Sequence, residues 1–216
     1  MPASPRLQTI IRLTETLHLA ALGVWLGAVV MAGATAGIVF GAARELDPTL
    51  ATYASYDGSH ADLAAGFVQN RVFLAADAVQ FAAAALTLIT LIARILMGLP
   101  LRRWSTGLRL AFFGLALGLV SYWLMVLGPQ MQTEITAYWA AAAAGENDAA
   151  ATALAAFEEH HEPARSALGA IALAVTATLG AAGFSATAGP RVEDRPPRPE
   201  ANAPSLETPR LARGAR

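Results

Sequence analysis

The 216-residue chain contains no cysteine, and only 14% of its residues are charged. An ordinary soluble domain carries roughly 25% charged residues. This chain has too few charged residues for its whole surface to be exposed to water. The lack of cysteine excludes a disulfide scaffold and a thiolate metal site. A net charge of −1 provides no basic field, so we expect no nucleic-acid partner. Lysine is absent as well, and the arginine- and alanine-rich composition is typical of a GC-rich bacterial genome.

Apolar residues make up 55% of the chain and gather in four long stretches. A helix needs about 20 apolar residues to cross a bilayer, and each stretch approaches or exceeds that length. The first stretch has features of a signal peptide, because Arg6 and Arg12 precede it and Ala-Thr-Ala occupies 34–36. Its apolar run exceeds the usual length of roughly 7–15 residues, so we expect a retained helix. The predicted spans are residues 17–40, 72–97, 110–127 and 167–188.

Arginine is distributed unevenly among the segments that flank these spans. Twelve arginines lie before the first span, from the last turn of the second span to the start of the third, or after the fourth. Three lie in the other two segments, 41–71 and 129–166: Arg44, Arg71 and Arg165. Cytoplasmic loops of membrane proteins are enriched in basic residues. The distribution therefore predicts a multi-pass protein of the bacterial inner membrane with both termini in the cytoplasm.

The predicted fold is all-α, a polytopic membrane protein with four transmembrane helices in an up-down bundle. Residues 1–13 form a cytoplasmic segment, residues 14–188 the transmembrane domain, and residues 189–216 a proline-rich, disordered cytoplasmic tail. Residues 59–62 have the form of a capping box, so the second helix should begin outside its apolar span. A turn at 145–148 and a bend at Pro129 predict a protruding outer helical hairpin over about 129–163. We expect Tyr138 and Trp139 of this hairpin to lie at the lipid headgroups.

Glycines four residues apart occur in the first and third spans. Such spacing lets helix backbones approach closely in lipid. The motifs predict either tight packing within the bundle or contact with another chain. The second interpretation implies a homo- or hetero-oligomer. Membrane lipid is the other expected partner. The glycines are Gly23, Gly27, Gly33 and Gly37 in the first span, Gly41 directly after it, and Gly114 and Gly118 in the third.

Asp77 is the residue that most suggests chemistry inside the membrane. A carboxylate in hydrocarbon is costly, so it should face the bundle interior and be paired or protonated. Gln80 and Arg71 lie on the same predicted helix, Gln69 lies near its outer end, and Arg165 is a candidate partner from the fourth helix. The functional interpretation is a proton or cation relay or a ligand contact. The structural alternative is a buried polar contact that holds the helices together.

The sequence FEEHHE at 157–162 forms a second polar group. Glu158, His161 and Glu162 share one face of a helix, and the hairpin should bring Glu134 opposite this region. Carboxylates and imidazoles that converge can bind zinc, manganese or iron. The sequence therefore offers a metal site formed by Glu134, Glu158, His160 and His161, although an exposed Glu/His face is more often simply hydrated.

Enzymatic chemistry is not indicated. The two Glu-x-x-His units, at Glu15 and Glu158, are predicted near opposite membrane faces, about 30 Å apart, and cannot share a di-iron centre. His18 is the one histidine in or near an apolar span, so bis-histidine haem ligation is also excluded. No nucleophile–base set or phosphate-binding loop is present. We therefore expect no enzyme activity and no cofactor.

Four motifs together resemble the transmembrane protein 205-like family (domain of unknown function 4149). They are HLAALGVWLG at 18–27, FVQNRVF at 67–73, Pro129 after the third span, and the Phe-x-x-His at 157–160. The resemblance covers about 18–188 and implies a four-helix membrane protein with no established enzymatic activity. The Asn-Arg pair that this family often has before the proline is missing. The opening motif is also similar to D-type bacterial copper-resistance membrane proteins, although no cysteine or methionine cluster supports Cu(I) binding.

These observations predict a non-enzymatic integral membrane protein. It would be a small solute or ion transport or sensing module, or an accessory subunit of a larger membrane complex. The alternative is a protein that handles copper or another divalent cation through the outer Glu/His group.

Overall fold

The computed structural model describes residues 4–187, with side chains as far as 185. The described part is helical, without a β-strand. The predicted tail at 189–216 lies outside the described residues. The helices are α1 (Pro5–Leu46), α2 (His60–Leu96), α3 (Trp104–Tyr122), α4 (Gly128–Ala144) and α5 (Asn147–Thr187), with a 3₁₀ turn at Ala51–Tyr53 and a π-helical turn at Trp123–Leu127.

Four helical segments are long and apolar enough to cross a membrane. The third of them joins α3, the π turn and α4 into one continuous helix. This confirms the predicted all-α class and the four candidate membrane helices. Each segment is longer than the apolar span predicted within it, because polar and alanine-rich turns continue the helix at its ends. The segments are Pro5–Leu46, His60–Leu96, Trp104–Ala144 and Asn147–Ser185.

Helices α1 and α2 each begin at a serine cap. The Ser4 hydroxyl accepts a hydrogen bond from the Leu7 N–H at 3.4 Å, and the Ser59 hydroxyl accepts one from the Asp62 N–H at 3.1 Å. Such a cap satisfies an N–H group that has no partner within the helix. The Ser59 contact confirms that the second helix begins well before its apolar span.

The main core contains apolar side chains of α1, α2, α3 and α5. Trp25 is fully buried and meets Phe113 edge-on, with ring centroids 6.5 Å apart. Leu22, Ile171 and Val175 are also fully buried. Because lipid tails are as apolar as these side chains, close packing and interhelical hydrogen bonds hold membrane helices together. Polar contacts between helices are therefore one of the forces that can hold such a bundle together.

A second, smaller core lies between the α4–α5 hairpin and the segment that precedes α2. Tyr138 is only 5% exposed, and its hydroxyl lies 2.8 Å from that of Tyr56. The Asn147 amide donates to the Asp57 carboxylate at 2.9 Å. The expectation that Tyr138 lies among lipid headgroups is therefore wrong, because a protein hydroxyl satisfies the polar end of its ring.

The turn predicted at 145–148 is formed around Gly145. This residue ends α4 in the left-handed conformation, with φ of 74°. A Cβ atom at this position would lie 2.9 Å from the Ser55 Cβ. Both the backbone conformation and the close approach of Ser55 require glycine. This turn reverses the chain so that α5 returns along α4.

The glycines of the small-residue motifs do not bring helices of this chain together. At all seven positions, a Cβ atom would meet no atom of a neighbouring described helix within 4 Å. The glycine faces of α1 and α3 therefore make no tight contact within the described chain. They leave shallow open surface on the helices.

Candidate functional site

Asp77 lies where α2 meets the π turn. Its Oδ1 atom accepts a hydrogen bond from the Trp123 Nε1–H at 2.8 Å and from the Gln80 Nε2–H at 3.2 Å. Gln80 and Trp123 are buried, whereas Asp77 is half-buried. Both hydrogen-bond donors are neutral. The carboxylate is therefore oriented by two donors without having its charge balanced by either of them.

The π turn that positions Trp123 is explained by the proline that follows it. Pro129 has no N–H, and its ring would clash with the carbonyl of Met125 in a regular helix. The chain instead widens locally, and the Gly128 N–H donates to the Trp123 carbonyl five residues earlier. A Cβ atom on Gly128 would lie 3.0 Å from that carbonyl oxygen. Pro129, where the sequence predicts a bend, is thus accommodated by a π turn just before it.

The cations proposed as partners of Asp77 lie elsewhere. The Arg71 guanidinium lies over the Phe67 ring, 5.2 Å from its centroid. Arg165 instead pairs with Glu162 at 3.0 Å on the exposed surface. Among the described residues, no cationic side chain forms an ion pair with Asp77.

A buried ion cluster occupies the other end of α2. Glu15 accepts from the Arg94 Nε–H at 2.7 Å and from an Arg109 guanidinium N–H at 2.8 Å. Arg109 is only 1% exposed, so its charge depends on Glu15 for compensation. The arginine distribution predicts only that Arg94 and Arg109 lie towards the cytoplasmic side, and it does not predict this cluster. The only sequence feature that could have indicated the cluster is the position of both arginines at the ends of apolar spans. Arginine is common at such positions for other reasons.

His18 extends the polar contacts from this cluster towards the centre of the bundle. It is fully buried, and its Nδ1 atom lies 2.9 Å from the Thr90 hydroxyl. The Thr90 hydroxyl donates in turn to the Leu86 carbonyl at 2.8 Å or the Thr87 carbonyl at 3.0 Å. Because a hydroxyl proton already used in this way leaves the oxygen to accept, His18 donates through Nδ1. Its Nε2 atom is then an acceptor, and it has no partner among the described residues.

Gln69 is buried against α1. Its Nε2 group donates to the Ala32 carbonyl at 2.9 Å and lies 3.5 Å from the Thr35 hydroxyl. A carbonyl can only accept, so the amide nitrogen must face Ala32, and the amide oxygen is fixed on the other side. This Oε1 atom is buried and has no hydrogen-bond partner among the described residues.

The outer Glu/His group is brought together only in part. The His160 Nδ1 atom lies 3.1 Å from a Glu134 carboxylate oxygen, as expected for a hairpin that folds near 146. Its Nε2 atom lies 2.8 Å from the Gln130 amide nitrogen. Glu158 is exposed, and His161 contacts the Phe157 ring. Within residues 4–187, no cluster of three or more His, Asp or Glu side chains has metal-binding geometry.

The comparisons with known proteins leave these sites to be interpreted from their geometry. The sequence matches no protein-family profile, no curated protein and no solved structure. The resemblance to the transmembrane protein 205-like family therefore stays a prediction from four short motifs.

Proposed function

We propose that this chain is a non-enzymatic module of the bacterial inner membrane that moves or senses a small cation, most simply a proton. The observation that carries the proposal is Asp77, a half-buried carboxylate in an apolar helix with two neutral donors and no ion-pair partner in the described chain. A carboxylate in hydrocarbon avoids its desolvation cost by binding a proton or a cation. Binding and release at this group would be the basic event.

A polar face along α2 supports a path for that cation. Gln69, Asp77, Gln80, Thr87 and Thr90 fall within an arc of about 140° on a helix of 3.6 residues per turn. From the first to the last of them α2 rises about 32 Å, which matches the roughly 30 Å hydrocarbon core. Four of these side chains are buried, and Asp77 is half-buried. A face this polar is unusual for a helix whose only task is to pack in lipid.

Acceptor atoms on this face and on the neighbouring α1 could bind a proton or water in transit. Gln80 Oε1 and His18 Nε2 are buried and have no hydrogen-bond partner among residues 4–187. Buried polar atoms are normally satisfied, and exceptions occur at functional positions. A charged group lies at one end of α2, where Glu15 accepts from Arg94.

The proposed orientation follows from arginine. Twelve arginines on one side and three on the other favour both termini in the cytoplasm and an up-down bundle of four helices. The hairpin of α4 and α5, with Glu134 and His160, would then face the periplasm. Glu15, Arg94 and Arg109 would lie at the cytoplasmic end.

The first test measures proton flux into liposomes that contain the purified protein and a pH-sensitive dye. We expect Asp77→Asn to abolish flux, because the amide keeps the shape of the side chain but cannot ionise. Asp47→Asn is the matched control, since Asp47 is exposed and lies between α1 and α2, outside both helices. Equal flux in the wild type and Asp77→Asn would contradict a role of Asp77 in transport.

The second test addresses sensing without transport. The Trp123 indole donates directly to Asp77, so its fluorescence should report protonation of the carboxylate. A protein in which the other three tryptophans are replaced by phenylalanine isolates this signal. We expect its emission to change with pH and the change to vanish in Asp77→Asn, but not in Asp47→Asn. An unchanged profile in Asp77→Asn would contradict the sensing proposal.

An accessory-subunit role is the second candidate, and the open glycine faces of α1 and α3 favour it. Small residues on a lipid-facing helix permit close contact with another helix. Purification in a gentle detergent should then retain a partner chain or a second copy. Gly114→Leu, which adds bulk to the α3 face, should release it. A protein that is monomeric at all concentrations would contradict this role.

A metal-handling role rests on the single contact between Glu134 and His160. Elemental analysis of the purified protein tests it, with wild type compared to a His160→Ala/His161→Ala variant. Metal in the wild type and its loss in the variant would support the role. Absence of metal from both proteins after incubation with zinc, manganese, iron and copper salts would exclude it.

A further inference from the structure

Arg109 has one edge of its guanidinium group unused inside the bundle. The Nη1–H group donates to Glu15 Oε1 at 2.8 Å, whereas Nε and Nη2 have no hydrogen-bond partner among the described residues. Both nitrogens are buried, and the residue as a whole is 1% exposed. Buried N–H groups normally have a partner, and leaving those of a charged group unsatisfied is especially costly. The unused edge therefore indicates a ligand.

The position of the two nitrogens on the guanidinium group defines the shape of that ligand. Nε and Nη2 lie on the same edge of the planar group, and their N–H bonds point in nearly the same direction. Such an edge binds two oxygen atoms of one carboxylate or phosphate group. A spherical anion such as chloride matches the edge less well, because it offers no second acceptor atom.

The charge of the cluster also favours an anion. Arg94 and Arg109 share the single carboxylate of Glu15, so the three side chains together carry one positive charge. A buried charge without a partner is strongly unfavourable. Water would satisfy the two N–H groups but would leave this charge unbalanced. Glu15 is the only acidic residue in the described segments at this end of the bundle, which are residues 5–24, 88–118 and 170–186.

The cluster is enclosed but connected to the surface. Arg109 is flanked on α3 by Thr106 and Phe113, about one turn to either side, and both are buried as well. A ligand at this position must therefore be only a few atoms in size. The Glu15 and Arg94 side chains are 13% and 14% exposed, so a small solute reaches the cluster past them.

We infer that the unused edge of Arg109 binds a small monovalent carboxylate, of the size of formate or acetate. One oxygen accepts from the Nε–H group and the other from the Nη2–H group. The ligand then balances the positive charge that Glu15 alone leaves on the two arginines. This anion site goes beyond the proposed cation path and does not depend on it.

Saturation-transfer difference NMR of formate, recorded with the purified full-length protein in detergent, tests the inference. The formate proton should show a transfer signal, and acetate should displace it. Chloride should need a concentration at least about ten-fold higher than acetate to do the same, because it lacks the second acceptor atom. The absence of a formate signal would assign the edge to water and overturn the proposal. Displacement by chloride at the same concentration as acetate would also overturn it.

Arg109→Lys separates the geometry of the edge from its charge. Lysine keeps the positive charge but lacks the planar pair of donors. We expect the variant to bind formate about ten-fold more weakly, because one of two charge-assisted hydrogen bonds is lost. Arg102→Lys is the matched control, since Arg102 is exposed at the same end of the bundle and lies outside the cluster. An equal loss in both variants would show a general effect of arginine and overturn the assignment.

Glu15→Gln provides a test that leaves Arg109 in place. Removing this carboxylate leaves two guanidinium groups unbalanced, so an added carboxylate should compensate for part of the loss. We expect both the wild type and Glu15→Gln to melt at a higher temperature in sodium formate than in sodium chloride of the same concentration, with the larger difference in the variant. Near-ultraviolet circular dichroism follows the melting and shows which proteins are folded. Equal melting temperatures of the wild type in the two salts would contradict the site.

Discussion

Breaking the buried ion cluster at Glu15 should destabilise the protein far more than breaking an exposed ion pair. Glu15→Gln keeps the size of the side chain and removes its charge. Arg109, at 1% exposure, would be left without compensation, and Arg94 would lose its partner as well. Removing one member of a buried pair costs about 3–5 kcal/mol. For a chain of this size, that corresponds to a fall in the melting temperature of about 6–20 °C.

Thermal unfolding in a mild detergent, followed by near-ultraviolet circular dichroism, measures this effect. Arg44→Gln serves as the control, because its pair with Asp62 is exposed and is expected to contribute less than about 1 kcal/mol. Combining Glu15→Gln with Arg109→Met should recover most of the loss, since the uncompensated charge is then gone. A Glu15→Gln protein that melts within about 2 °C of the control would refute the reasoning.

Three further predictions concern contacts between the helices, each measured by the same unfolding assay. Trp123→Phe removes the N–H that Asp77 accepts and should cost about 1–3 kcal/mol, whereas no loss would show that the bond is not formed. Tyr138→Phe should cost about 1 kcal/mol, because a buried hydroxyl pair is lost, and an unchanged melting temperature would contradict this. Gly145→Ala should cost about 1–3 kcal/mol through its left-handed backbone and its approach to Ser55, and a more stable variant would exclude that turn geometry.

The sequence predicts those features of the fold that depend on neighbouring residues. Long apolar runs leave helix as the simplest structure that satisfies its own backbone in lipid, so four helices were predictable. The Ser59 cap and the Gly145 turn follow from residues a few positions apart. The partnership of Asp77 with Gln80 follows in the same way from their spacing of three along α2.

Contacts between distant segments could not be predicted in this way. Glu15 is 79 residues from Arg94 and 94 from Arg109, and no local pattern links the three. A basic residue near the end of an apolar span has the same appearance whether it lies in a loop or reaches into the bundle. Burial of Tyr138 was missed for a similar reason, since its partner Tyr56 lies in an irregular segment 82 residues away.

The π turn at Trp123–Leu127 determines how far α4 is rotated relative to α3 about the axis of the third long helix. A π turn contains one residue more than an α turn. If the same residues instead formed a regular α-helix, everything beyond them would be rotated by about 100° about the helix axis. Tyr138 would then swing away from the smaller core. The π turn thus lets one continuous helix direct α3 towards the main core and α4 towards the smaller core.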